Sequence, residues 1–122
     1  SSDVDSQNIV NNAKYFEFFQ DARLDHLLAL RAETGPAPSF ALATTTATYK
    51  SSLRHRDEIV IRSWTSEVRN RSFVLGYDIR RPDGSMVAEG SSVQVWLNDD
   101  GQPVAPSDSV ITAMRASIPD AP

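Results

Sequence analysis

Asp3 and Asp5 stand two residues apart in a polar stretch that runs to Asn11-Asn12 and there meets an apolar pattern with helical spacing. A helix N-terminus presents unpaired backbone N–H groups and partial positive charge, so it can polarise a carbonyl and stabilise an oxyanion. A carboxylate held beside it can act as a general base or as a nucleophile. The same residues also suit an ordinary polar loop in which Asn11 or Asn12 caps the helix. On spacing alone that plainer reading is the stronger one.

A second group is basic. Arg54-His55-Arg56, with Lys50, Arg69 and Arg71, clusters around the turns between extended segments, where cations can hold phosphate groups or simply face solvent. For any one of them a solvated turn is the slightly stronger reading, and Arg54 and Arg71 are the best candidates for phosphate contacts. His26 has only Asp25 as a neighbour at ligand spacing, so a packed or surface histidine accounts for it better than a metal ligand. The same holds for His55. Ser72 is most simply a strand serine. Gly35, Gly84 and Gly101 fall where turns are expected, and no phosphate-loop or dinucleotide-type glycine cluster is present.

These side chains must be positioned by few elements. The 122 residues, 40% of them hydrophobic, with a net charge of -4, predict one globular domain over 1–122. The acidic balance argues against a nucleic-acid partner, which needs an excess of Lys and Arg on one face. The absence of cysteine excludes disulfides, thiolate metal sites and Cys nucleophiles. No apolar run approaches the length of a membrane span. A cytoplasmic protein is the simplest expectation.

From Asn12 to about Arg31, Tyr15, Phe16, Phe18, Phe19, Ala22, Leu24, Leu27, Leu28 and Leu30 recur at helical spacing. The spacing predicts one long, largely buried helix, stopped at Gly35-Pro36. Four strands are expected next, over 40–51, 58–68, 72–80 and 85–97, rich in Thr, Val, Ile and aromatics. In the second, Ile59, Ile61 and Ser63 share one face, and Val60, Arg62 and Trp64 the other. Pro82-Asp83-Gly84 marks a hairpin. Short connections make consecutive strands antiparallel, giving an α+β domain with a long central helix wrapped by an antiparallel sheet. Ser107-Asp108 opens a short C-terminal helix through Val110, Ile111 and Met114.

Beyond spacing, Asp3-Val4-Asp5, Val10-Asn11-Asn12, Tyr15, Phe19, Ala22-Arg23 and Leu27 resemble the opening signature of hotdog-fold thioesterases of the 4-hydroxybenzoyl-CoA thioesterase type. Ser52-Leu53-Arg54, Asp57-Glu58-Ile59-Val60-Ile61, Arg71-Ser72-Phe73, Pro82-Asp83-Gly84 and Val87-Ala88-Glu89-Gly90 extend the resemblance over nearly the whole chain. Two positions depart from it: Asn8 and Ile9 stand where the family has Gly and His. The sequence also begins within the Asp-x-Asp loop, so the family's first strand is expected before residue 1.

The resemblance implies a hotdog fold and hydrolysis of an acyl-CoA to free acid and CoA, without a metal or other cofactor. Asp5 matches the catalytic carboxylate, as nucleophile or general base, and the backbone N–H of Asn12 matches the donor to the thioester carbonyl. Asn11 would shape the loop, Tyr15 would line the acyl pocket, and Arg54 and Arg71 would meet CoA phosphates. Neither the carboxylate nor the backbone donor depends on the replaced His. The resemblance further implies sites at the interface of a homodimer or a dimer of dimers. Two other functions share these features: a non-catalytic hotdog module that binds acyl thioesters or serves assembly, and a thioesterase acting on acyl carrier protein.

Overall fold

The computed structural model describes residues 12–35, 38–54 and 56–120 and, within the first helix, the side chains of residues 17–33. Helix α1 (Asn12–Thr34) is followed by strands β1 (Ser39–Tyr49), β2 (Val60–Val68), β3 (Ser72–Arg80) and β4 (Met86–Leu97), and then by helix α2 (Asp108–Ala116). Each expected element is present, with ends within two residues of the sequence reading except at the end of α1. That helix continues to Thr34, where Gly35, at φ 79°, ends it and donates its N–H to the Arg31 carbonyl at 2.8 Å. Positive φ is what glycine tolerates and other residues resist.

The four strands form one antiparallel sheet in the order β1-β4-β3-β2. Among the described residues the first strand therefore pairs with the last, not with its sequence neighbour. The connection over 50–59 crosses one end of the sheet to bring β2 to the far edge. Both edge strands carry a register irregularity, between Leu42 and Thr44 in β1 and between Thr65 and Glu67 in β2, a common way of ending regular pairing at an edge.

Because side chains alternate along a strand, Phe73, Leu75, Tyr77 and Ile79 of β3 form one buried row, beside Ala88, Ser92, Gln94 and Trp96 of β4. α1 lies over this face, chiefly against β2, and also touches α2 and β3. Phe19 is its main anchor. The ring sits 5.1 Å from that of Tyr77, above Gly90, where an added Cβ would come within 2.9 Å of the Phe19 ring and 2.5 Å of the Thr46 carbonyl oxygen. Farther along, the Ser63 hydroxyl donates to the Ala22 carbonyl at 3.3 Å. His26 Nε2 meets Thr65 Oγ1 at 3.0 Å, and Ser117, the C-cap of α2, donates to the same oxygen at 2.6 Å. Thr65 thus joins both helices to β2. Ser107 caps the start of α2, and Val110 and Met114 bury its inner face.

The helix is less enclosed than its apolar pattern predicts. Among its described side chains only Phe19 and Leu30 are buried; Leu24 and Leu28 remain 57% and 55% exposed. A 23-residue helix resting on one face of a four-stranded sheet has a solvent side, and these leucines occupy it. On the opposite face of the sheet Trp64 covers Gly76. There Asp78, almost fully buried, accepts hydrogen bonds from Arg62 and Arg80. Burial opposes ionisation of Asp78, but these hydrogen bonds and the two positive charges outweigh it and hold its carboxyl below the usual range. No helix among the described residues is long and apolar enough to cross a membrane.

The seating of α1 sets two expectations. Gly90→Ala forces a methyl group against the Thr46 carbonyl and the Phe19 ring, and is expected to cost about 1–3 kcal/mol in chemical denaturation, the usual range for overpacking. Burial lowers the pKa of His26 from its ordinary value near 6.5. The unfolded chain therefore takes up a proton at that site before the folded chain does, and the stabilising effect of the neutral ring, complete above pH 6.5, is lost as pH falls from there toward the lower folded pKa. Melting temperatures measured from about pH 7.5 down to about 5.5 should decline, and His26→Gln should flatten the decline.

Candidate active site

α1 is described from Asn12 onward. Asp3, Asp5 and Asn11 lie outside the described residues, as does His55; Tyr15 belongs to α1, but its side chain is also outside them. The structure gives the direction in which α1 crosses the sheet. Along α1 the contacts advance from Phe19 at Tyr77 and Gly90, through Ala22 at Ser63, to His26 at Thr65. The helix therefore runs in the same direction as β2. Asn12 precedes Phe19 by seven residues, roughly 10 Å of helix, which brings it to the end of the sheet where β3 finishes and β4 begins.

The 50–59 connection crosses that same end. Leu53 is buried in the core, and Arg54 follows it. A tight turn holds Arg54: its N–H donates to the Asp57 carboxylate at 2.9 Å, and the Asp57 N–H donates to its carbonyl at 3.1 Å. Within the turn Arg56 adopts φ 74°, a left-handed conformation that side chains other than glycine resist. Arg81, just beyond β3, closes over the loop. It donates to the Ser51 hydroxyl at 3.0 Å and the Ser52 carbonyl at 2.6 Å, and lies 3.8 Å from the Asp57 carboxylate. Lys50 pairs with Glu89 at 3.4 Å on the neighbouring strand.

The two expected phosphate contacts are thus separated. Arg54 shares the sheet end with the start of α1, whereas Arg71 precedes β3 at the opposite end, where its carbonyl accepts the Trp96 N–H at 2.8 Å. The nine residues of β3 span roughly 26 Å at the usual rise per residue. One diphosphate in one protomer cannot meet both. Arg69 lies with Arg71 and pairs with Glu67.

Sequence reasoning passed over Arg81. Its signal was faint: a basic pair, Arg80-Arg81, directly before the Pro82-Asp83-Gly84 turn, and an Asp three residues after Arg54. Only the crossover that brings residues 51–57 beside the hairpin gives Arg81 these partners. A second feature is internal. Arg23 donates to the Tyr77 hydroxyl at 2.9 Å, Tyr77 meets the Ser92 hydroxyl at 2.6 Å, and the Gln94 amide donates to Ser92. This polar chain runs beneath α1 and leaves the buried Gln94 Oε1 without a partner. Among the described residues no three His, Asp or Glu side chains cluster closely enough to hold a metal ion.

Comparison with known proteins places this geometry. A family model described as the thioesterase-like superfamily matches residues 1–118. No curated protein matches the sequence. Among solved structures, a thioesterase from Thermus thermophilus complexed with coenzyme A and Zn superposes with a TM-score of 0.78 at 22% identity, covering 94% of this chain and 85% of that one. A thioesterase superfamily protein from Jannaschia sp. CCS1 gives 0.81 at 25% identity, with 98% and 80% covered. A gentisyl-coenzyme A thioesterase gives 0.75 at 26%, with 93% of each chain covered. The family match over nearly the whole length, with the four-stranded antiparallel sheet and the two helices that superpose on these structures, shows that the chain belongs to the thioesterase-like superfamily and has its hotdog fold.

Proposed function

We propose that the protein hydrolyses an acyl-CoA thioester to a free acid and CoA, with the reaction at the start of α1. The observation that carries this reading is that α1, traced back from Phe19, runs toward the end of the sheet that the Arg54 loop crosses, in a chain of the thioesterase-like superfamily. A thioester carbonyl at that point would accept the Asn12 N–H, and the helix dipole would favour the negative charge that develops on its oxygen. Asp5 would attack that carbonyl or activate water against it. Asn11 would shape the loop, Tyr15 would line the acyl pocket, and Arg54 would contact a phosphate of the CoA. The gentisyl-coenzyme A and coenzyme A-bound relatives support a CoA ester as the substrate.

The proposed assembly is a homodimer or a dimer of dimers. β1 is an edge strand that exposes Leu42 and Tyr49, and a twofold axis perpendicular to the sheet would pair it antiparallel with its copy. Such pairing inverts one protomer relative to the other. The Arg71 end of the partner then faces the same side as this protomer's helix start, which gives Arg71 a place at the neighbouring site. Leu24 and Leu28 offer a further apolar patch for the second level of assembly, and enclosing them would make α1 the central helix of the complete particle.

Release of free thiol from a panel of acyl-CoA esters tests the reaction. Wild type should hydrolyse at least one ester, and Asp5→Asn should lower kcat by about 10²–10⁴, the range for loss of a positioned catalytic group. Undiminished turnover by Asp5→Asn would remove the role given to that carboxylate.

A further inference from the structure

Arg81 has no part in the chemistry above, yet it is the side chain most engaged with the loop that carries Arg54. Its guanidinium reaches three separate groups there: the Ser51 hydroxyl, the Ser52 carbonyl and, at 3.8 Å, the Asp57 carboxylate. Asp57 in turn holds Arg54 by its backbone on both sides, accepting the Arg54 N–H and donating to the Arg54 carbonyl. Arg81 itself is fixed by the hairpin, where its N–H donates to the Ser85 carbonyl at 3.0 Å and its carbonyl accepts the Gly84 N–H at 2.9 Å. A planar guanidinium can satisfy several acceptors at once in a set direction, which an ammonium cannot.

The loop needs such a brace. It is a crossover of ten residues between opposite edges of the sheet, and Arg56 within it is held at φ 74°. A backbone in that region persists only where its surroundings impose it. Leu53 anchors the loop from below, in the core; Ser51 joins its first residues to β4, with its hydroxyl donating to the Met86 carbonyl at 3.1 Å and its N–H to the Val87 carbonyl at 3.2 Å, and Arg81 reaches further along it, to Ser52 and Asp57. Arg81 thus spends donors of both terminal nitrogens on Ser51, Ser52 and Asp57.

We infer that Arg81 is a positioning residue for coenzyme A recognition: it fixes the 51–57 loop so that Arg54 stands at the phosphate-binding end of the site. This rests on the reading of Arg54 as a CoA phosphate contact. The effect acts through Arg54, so it belongs to the nucleotide portion of the ligand and not to the acyl group or the pantetheine arm.

Calorimetric titration of the intact protein with CoA, and separately with pantetheine, tests it. Arg54→Ala is expected to weaken CoA about tenfold, as loss of one charge-assisted contact does. Arg81→Ala should weaken CoA by a similar factor while leaving pantetheine unchanged, and Arg81→Lys, which keeps the charge but not the fork, should restore only part of the loss. The decisive comparison is the double variant Arg54→Ala/Arg81→Ala, which should bind CoA no more weakly than Arg54→Ala alone, because the two residues act as one unit. Circular dichroism confirms that each variant is folded before titration. Wild-type CoA affinity in Arg81→Ala, equal losses for CoA and pantetheine, or additive losses in the double variant would each overturn the inference. If Arg54→Ala binds CoA normally, the reading of Arg54 fails and the inference falls with it; if Arg54→Ala is impaired and Arg81→Ala is not, the inference alone fails.

Discussion

Phe19 presses its ring onto a strand position that has no side chain, and the placing of α1 depends on that contact. A helix resting on a sheet can slide by a turn at modest cost unless something fixes its register. Here the ring of Phe19 fills the space above Gly90 and stacks at a tilt on Tyr77. Hydrogen bonds at Ala22 and His26 then repeat the same register one and two turns later. With Phe19 seated, the first described turns of α1 run toward the end of the sheet crossed by the 50–59 connection. The proposed chemistry needs that coincidence, because a carbonyl polariser is useful only where a substrate is also held.

The polar groups beneath α1 reinforce this seat. Arg23 reaches from the helix to the Tyr77 hydroxyl and stacks on its ring at 5.7 Å, and the chain continues through Ser92 to Gln94. Hydrogen bonds in a buried setting are directional, and an unpaired group there costs energy, so such a chain restricts a helix to one position more sharply than apolar packing does. At the far end of the sheet the work is done by rings, with Phe73 packed 4.9 Å from Trp96 and Phe40 edge-on to both. One end of the domain is thus closed by aromatic packing. The other is crossed by a loop, and the first described turns of α1 run toward it.

Much of this was legible in the amino-acid order. The periodicity of residues 12–31, the alternation in the β-rich segments and the Pro82-Asp83-Gly84 turn located all six elements, because local pattern and final structure agree there. Strand order was not legible. Short connections suggested neighbouring strands, but β1 pairs with β4, a choice made by tertiary packing and by a loop that lies across the sheet end. The exposure of Leu24 and Leu28 was hidden for a related reason: hydrophobic spacing records that a face is apolar, not whether this chain alone covers it. Arg54 and Arg71 looked equivalent in sequence, yet the length of β3 separates them. Arg81 was invisible as a brace until the crossover placed Ser51, Ser52 and Asp57 beside it. Asp5, the proposed reactive carboxylate, was named from sequence resemblance and lies outside the described residues.

A crystal structure with a non-hydrolysable CoA thioether addresses the central claim, that binding and reaction converge at the start of α1. The account predicts the thioether sulfur beside the backbone N–H of Asn12, the carboxylate of Asp5 facing the carbon that stands in for the thioester carbonyl, and the phosphates over the 51–57 loop within reach of Arg54. A CoA bound instead along the aromatic end of the sheet, near Phe73 and Trp96 and away from the helix start, would contradict it.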